Sequence, residues 1–220
     1  MNSMDFLLWV RGPGLAIASI IFVFGMTLKM FEIFMLGRKK NLAELRGSGI
    51  KEGFRTIITR SKHSDTYSTR HTKFTFYVGW TFHIGMFIAI FLLTPHIELF
   101  KSFLGFSWPA LPTPIVDLAT VIALISLLAI LFHRITDPVL RYLSVGQDYV
   151  VWALTFLPLL TGYMTYHHLF FPYTWLLGIH ILSICILLVV FPFTKLTHAF
   201  TLFIARWYNG MMGGEKGVQQ

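Results

Sequence analysis

His180 and His198 stand near the two ends of "GIHILSICILLVVFPFTKLTH", a stretch apolar enough for the core of a lipid bilayer. An ionisable ring in hydrocarbon is costly and is kept where something binds it. The two lie eighteen residues apart. At 100° per residue that is five full turns, so on one continuous helix both imidazoles point the same way, about 27 Å apart. Such spacing offers two stacked sites, one in each leaflet. Taken singly, each histidine has a plainer use in an interhelical hydrogen bond. Pro192, between them, is expected to bend the helix.

The other histidines are read by depth and spacing. In "YVGWTFHIGMF", His83 lies ten residues past Lys73, about 15 Å from the inner boundary and close to the depth of His198. Opposed histidines from two helices make an axial pair for b-type haem. Gly79 and Gly85 flank His83; they leave room for a flat macrocycle and equally suit plain helix packing. The partner of His180 stays open. His96 lies thirteen residues past His83, a rotation of roughly 220° on a straight helix, and faces the same partner only if Thr94-Pro95 breaks the helix. His167 and His168 are its rivals. His133, beside Arg134, reads as interfacial; His63 and His71, in a basic loop, read as surface residues. Arg134, Arg141 and Lys195 lie near the expected propionate edge of an inner haem, where a guanidinium fork suits carboxylates, and serve equally as basic flanks of spans. Lys29 and Glu32, three apart, read as a snorkelling lysine beside its own counter-ion. Position alone marks His96, Lys101, Tyr163, Tyr166, His167 and His168 as polar candidates for a quinone pocket.

The elements that must hold these residues are apolar runs. Of the 220 residues, 55% are hydrophobic and 13% charged, against a charged share near 25% in soluble domains. Five runs, at 14–36, 74–95, 114–133, 148–166 and 173–205, approach the roughly 20 residues that a spanning helix needs. The expected fold is an all-α integral membrane bundle of five helices in a single domain, with a partly ordered loop at 37–73 and a mobile tail at 210–220. The first run has no basic stretch before it, and "GRKKN" follows it, so a true span is expected there rather than a cleaved signal. Of 18 Lys and Arg, fifteen fall on one side of a five-span path, two on the other, and Lys29 within the first span. That asymmetry sets the N-terminus outside and the C-terminus in the cytoplasm. It also assigns the net charge of +8 to anionic lipid headgroups rather than nucleic acid. Cys185 is the only cysteine, which excludes an intrachain disulfide, a Cys₄ iron–sulfur cluster and a C-x-x-C-H haem attachment. No internal repeat of the kind transporters carry is visible.

From about Phe74 to Arg206 the chain resembles the gamma subunit family of respiratory nitrate reductase, the di-haem cytochrome b membrane anchors, which include those of heterodisulfide reductase-like and sulfite-reduction-linked complexes. The resemblance rests on "FHIG" (82–85), "LTPH" (93–96), "DPVLRYLSVGQD" and "FPFTKLTH" (191–198), and on the spacing of His180 and His198. It implies that His83 and His198 bind an inner haem b and that His180 is one ligand of an outer haem. Leu92-Leu93 stand where the family carries a glycine and its remaining ligand, which leaves a substitute such as His96, or a single haem. The function implied is electron exchange between quinol or quinone and a cytoplasmic iron–sulfur subunit, in a bacterial or archaeal inner membrane. A haem-free structural anchor and a small proton-coupled transporter are the alternatives.

Overall fold

The computed structural model describes residues 2–37, 42, 44–62 and 72–218. His63, His71 and the basic run at 38–41 lie outside the described residues. Among the described residues every regular element is helical. Four helices are long and apolar enough to cross a membrane: Ser3–Met35, Lys73–Leu92, Thr113–Thr136 and Tyr173–Phe193. Their large apolar side chains face outward in number; Phe24 is 70% exposed and Phe132 71%. Exposed apolar area on this scale needs a nonpolar surrounding.

The first helix begins earlier than its apolar run. Asn2 caps Ser3–Trp9 (α1) by accepting from the Asp5 amide, and one π-turn, Val10–Gly14, contains Pro13. The chain then continues as Leu15–Met35 (α2). An extra residue in the turn accommodates a proline that cannot donate to the preceding carbonyls. The later helices are Gly49–Thr59 (α3), Lys73–Leu92 (α4), Thr94–Leu104 (α5), Thr113–Thr136 (α6), Pro138–Leu143 (α7), Gly146–Tyr166 (α8), Tyr173–Val190 (α9) and His198–Glu215 (α10).

The chain divides into two compact units. The first comprises Met1–Ile20 and Phe74–Val189. Its core is Phe82 and Ala89 of α4, Ala123 and Leu127 of α6 and Leu159 of α8. Gly85 is part of this packing: a Cβ there would lie 2.9 Å from the Ala123 side chain. Gly85 thus serves helix contact, whereas a Cβ on Gly79 would meet nothing within 4 Å. Trp152 ties α8 to α6 by donating its indole N–H to the Leu127 carbonyl at 2.8 Å.

At 21 residues α8 is as long as a span but is not one of the four apolar helices. Gln147, Asp148, Pro158 and its tyrosines and threonines lower its hydropathy; of these, Thr155, Thr161 and Thr165 donate to carbonyls of their own helix at 3.1, 2.7 and 2.6 Å. A hydroxyl bonded to its own helix costs little in hydrocarbon.

The second unit comprises Ile21–Lys73 and Val190–Gln220. Two expectations change here. The run at 173–205 is not one helix. Pro192 removes a backbone donor, α9 ends at Val190, two single 3₁₀ turns follow (Phe191–Phe193 and Lys195–Thr197), and Thr194 between them is extended. Two helices therefore replace the one that aligned His180 with His198. The tail expected to be mobile is helical as far as Glu215, with Gly210, Met211, Gly213 and Gly214 buried. It packs on α3, an ordered element inside the loop at 37–73. Glycines permit this approach: a Cβ on Gly53 would lie 2.8 Å from the Trp207 ring, and one on Gly214 2.6 Å from the Glu52 Cβ.

Candidate functional site: a pair of imidazoles

The first unit brings His96 and His180 together. Leu93 leaves the helical conformation (φ −86°, ψ 129°), and the chain restarts as α5 with Pro95 in its first turn. The break at Thr94-Pro95 that His96 required is therefore present. His96 reaches back across it to the Ala89 carbonyl, Nδ1 to oxygen 2.8 Å. Its ring centre lies 6.2 Å from that of His180, with the ring planes 23° apart. Both rings are half-buried.

Hydrogen-bond accounting assigns the tautomers. The Ala89 carbonyl can only accept, so Nδ1 of His96 carries the proton. His180 Nδ1 lies 3.2 Å from the Thr161 hydroxyl. That hydroxyl has one proton, which goes to the Leu157 carbonyl at 2.7 Å. Ser183, also 3.2 Å from Thr161, gives its own proton to the His180 carbonyl at 2.7 Å. Thr161 is therefore an acceptor and Nδ1 of His180 a donor, and the Pro158 carbonyl also accepts from the His180 ring. With its proton on Nδ1, the neutral His96 ring keeps its lone pair on Nε2. Gly162 makes room for the second ring; a Cβ there would lie 3.0 Å from His180 Cε1.

Such a donor set suits a metal held between two neutral imidazoles. An oxygen partner on the far nitrogen is the usual outer contact of a ligating histidine. Among the described residues no group of three or more His, Cys, Asp or Glu is placed to share a metal ion.

The other expected ligands have the same local chemistry. His83 Nδ1 bonds the Gly79 carbonyl at 2.7 Å, and His198 Nδ1 bonds the Lys195 carbonyl at 2.8 Å. Both carbonyls fix the proton on Nδ1. His83 is half-buried and His198 exposed.

The rivals for His180 have other company. His167 Nε2 lies 2.7 Å from Asp117 Oδ1, with the Tyr163 and Tyr166 rings 4.4 and 5.2 Å from its own. His168 has a left-handed backbone (φ 52°) and rests against Tyr173. Of the quinone-pocket candidates, Tyr163, Tyr166 and His167 thus cluster. Lys101 instead pairs with Glu98 at 3.7 Å, and His96 belongs to the imidazole pair. Arg134 is held within its own unit, donating to Ser144 Oγ at 2.9 Å and lying 3.8 Å from Asp148. Arg141 and Lys195 are exposed. His133 packs edge-on against Phe74.

Sequence reasoning missed Thr161, Gly162, Ser183 and Asp117. Asp117 was open to discovery as a carboxylate inside the expected third span.

Fold and site together define a helical protein with four potential membrane crossings and a paired-histidine centre. No family model matches the chain. It is 37% identical over 146 residues to a protein of Nitratidesulfovibrio vulgaris described only as "Protein". The match covers 66% of this chain and 64% of that relative, so the chain spans less than two thirds of the relative's length.

Proposed function

We propose that the protein is the membrane cytochrome b subunit of a respiratory redox complex in a bacterial or archaeal inner membrane. It spans the bilayer five times, N-terminus outside, and exchanges electrons between quinol or quinone and a cytoplasmic iron–sulfur subunit. The observation that carries this reading is the pairing of His96 and His180, ring centres 6.2 Å apart with both Nδ1 protons committed to oxygen. These two would hold the outer haem b. Sequence alone names the ligands of an inner haem, His83 and His198, each with Nδ1 on a carbonyl. A b-type haem held by these histidines would supply one-electron chemistry. The chain's own part is to fix each tautomer and to exclude water with apolar helices. Near the outer haem, His167 and Asp117, with Tyr163 and Tyr166, are the groups that would accept quinol protons; Lys101 and His168 complete the polar set at that end. Arg134, Arg141 and Lys195 remain the proposed propionate partners of the inner haem.

The test is a pyridine haemochrome assay with haem counted per polypeptide. Wild type is expected to hold two haems, and His96→Ala and His180→Ala one each. A colourless protein overturns the reading in favour of a haem-free anchor, and full haem content in both variants overturns the assignment of His96 and His180 as haem ligands.

A further inference from the structure

In the second unit, the Gly25–Glu32 stretch of α2 and the broken segment after α9 form the walls of a partly open cleft of about 350 Å³, lined by Gly25, Lys29, Glu32, Pro192, Thr194 and Thr197 among others. Both walls belong to helices apolar enough to cross a membrane or to the break that follows one. Irregular backbone at such depth is tolerated where it lines a cavity. Gly25 forms part of the floor, because a Cβ there would lie 2.8 Å from the Pro192 ring.

The polar groups are arranged by kind. Lys29 Nζ is 3.2 Å from Glu32 Oε2; an ammonium has three protons, and this contact takes one. Thr194 gives its hydroxyl proton to the Phe191 carbonyl at 3.2 Å, and Thr197 gives its own to the Thr194 carbonyl at 3.1 Å. Towards the cavity both hydroxyls are therefore acceptors. The lining offers one cationic donor and three acceptors, the two threonines and the Glu32 carboxylate. A phosphate or other anion would meet more acceptors than donors, and a lipid tail would strand the ion pair. A quinol ring satisfies both kinds, since each hydroxyl accepts through its oxygen and donates its proton; the quinone satisfies the cationic donor alone. At about 350 Å³ the space falls at the small end of ligand pockets, which suits a single headgroup.

We propose that this cavity is a quinone headgroup site, separate from the Tyr163–His167 cluster. Lys29 donates to a ring oxygen in either redox state, a carbonyl of the quinone or a hydroxyl oxygen of the quinol, and Thr194, Thr197 or Glu32 accepts from a hydroxyl of the quinol alone. The proposal rests on the quinone-linked reading above, but its test needs no electron transfer.

The full chain in lipid nanodiscs is irradiated with an azido-naphthoquinone, and the labelled residues are mapped by mass spectrometry, with haem counted in parallel. Labelling is expected within 25–32 and 192–197, suppressed by excess unlabelled naphthoquinone. Labelling should fall at least fivefold in Lys29→Met and persist in Lys29→Arg, competition by the reduced naphthoquinol should weaken at least fivefold in the Thr194→Val/Thr197→Val pair, and haem content should be unchanged in all of these variants. Labelling confined to 163–168, or competition by phosphatidylglycerol but not by naphthoquinone, overturns the proposal. So does haem loss in Lys29→Met, which would assign the cavity to a haem. A haem-free protein labelled at the cavity would sink the cytochrome reading and support the site; a haem-loaded, unlabelled protein would sink the site alone.

Discussion

At the scale of single residues, the candidate centre depends on Thr161 as much as on the histidines. Its hydroxyl, already a donor to Leu157, accepts from His180 Nδ1 alongside the Pro158 carbonyl, the ring's other acceptor. Removing an outer partner of a metal-bound histidine weakens metal binding about 10–100-fold. Thr161→Val keeps the shape and loses the acceptor, so haem at this site should be lost at least about tenfold more readily on dilution or imidazole challenge. Thr161→Ser should restore retention. A purely structural threonine would lower thermal stability and leave haem retention unchanged. The histidines were legible because an imidazole in an apolar run stands out from its neighbours. His96 was legible conditionally, through Thr94-Pro95. Thr161 was not: it comes from another helix, and a threonine bonded to its own backbone leaves no mark in composition or period.

Among elements, the apolar runs were readable because a bilayer demands roughly 20 apolar residues in a row. What interrupts or continues them was harder to see. Pro192 announced a bend, but the extended backbone at Thr194 goes with the seating of Pro192 against Gly25, a contact between distant parts of the sequence. The glycines after residue 209 read as a mobile tail for a similar reason. Glycine weakens an isolated helix, yet here it admits a second backbone, and only the packed pair reveals which effect prevails. A Cβ on Gly210 would press on Thr56 and lie 2.6 Å from the Glu52 carbonyl oxygen. Overpacking of that kind costs about 1–3 kcal/mol. Gly210→Ala should therefore lower the Tm of the detergent-solubilised protein and speed proteolysis between residues 198 and 218. Gly146→Ala, at a position with nothing within 4 Å, should leave both unchanged.

For the whole molecule, the open quantity is the number of crossings, and α8 decides it. Its 21 residues measure about 31 Å as a helix, against a hydrocarbon core of about 30 Å. Its threonines are satisfied by their own backbone, and it contributes Leu159 to the core of its unit. Length and satisfied polarity both favour a crossing despite the lower hydropathy. The basic residues agree: Arg134 and Arg141 precede α8, whereas the segment after it, at 167–172, carries no Lys or Arg, the asymmetry expected of opposite faces. Tyr142 and Phe170 flank the helix and are 89% and 86% exposed, so a cysteine at either is open to reagent. In a Cys185→Ser background, Phe170→Cys should react with an impermeant maleimide added to intact cells. Tyr142→Cys should react only after the membrane is opened. Reaction of both from the same side would place α8 along the membrane or within the protein. The bundle would then have four crossings, and His180 would lose the opposed helix that supplies Thr161 at membrane depth.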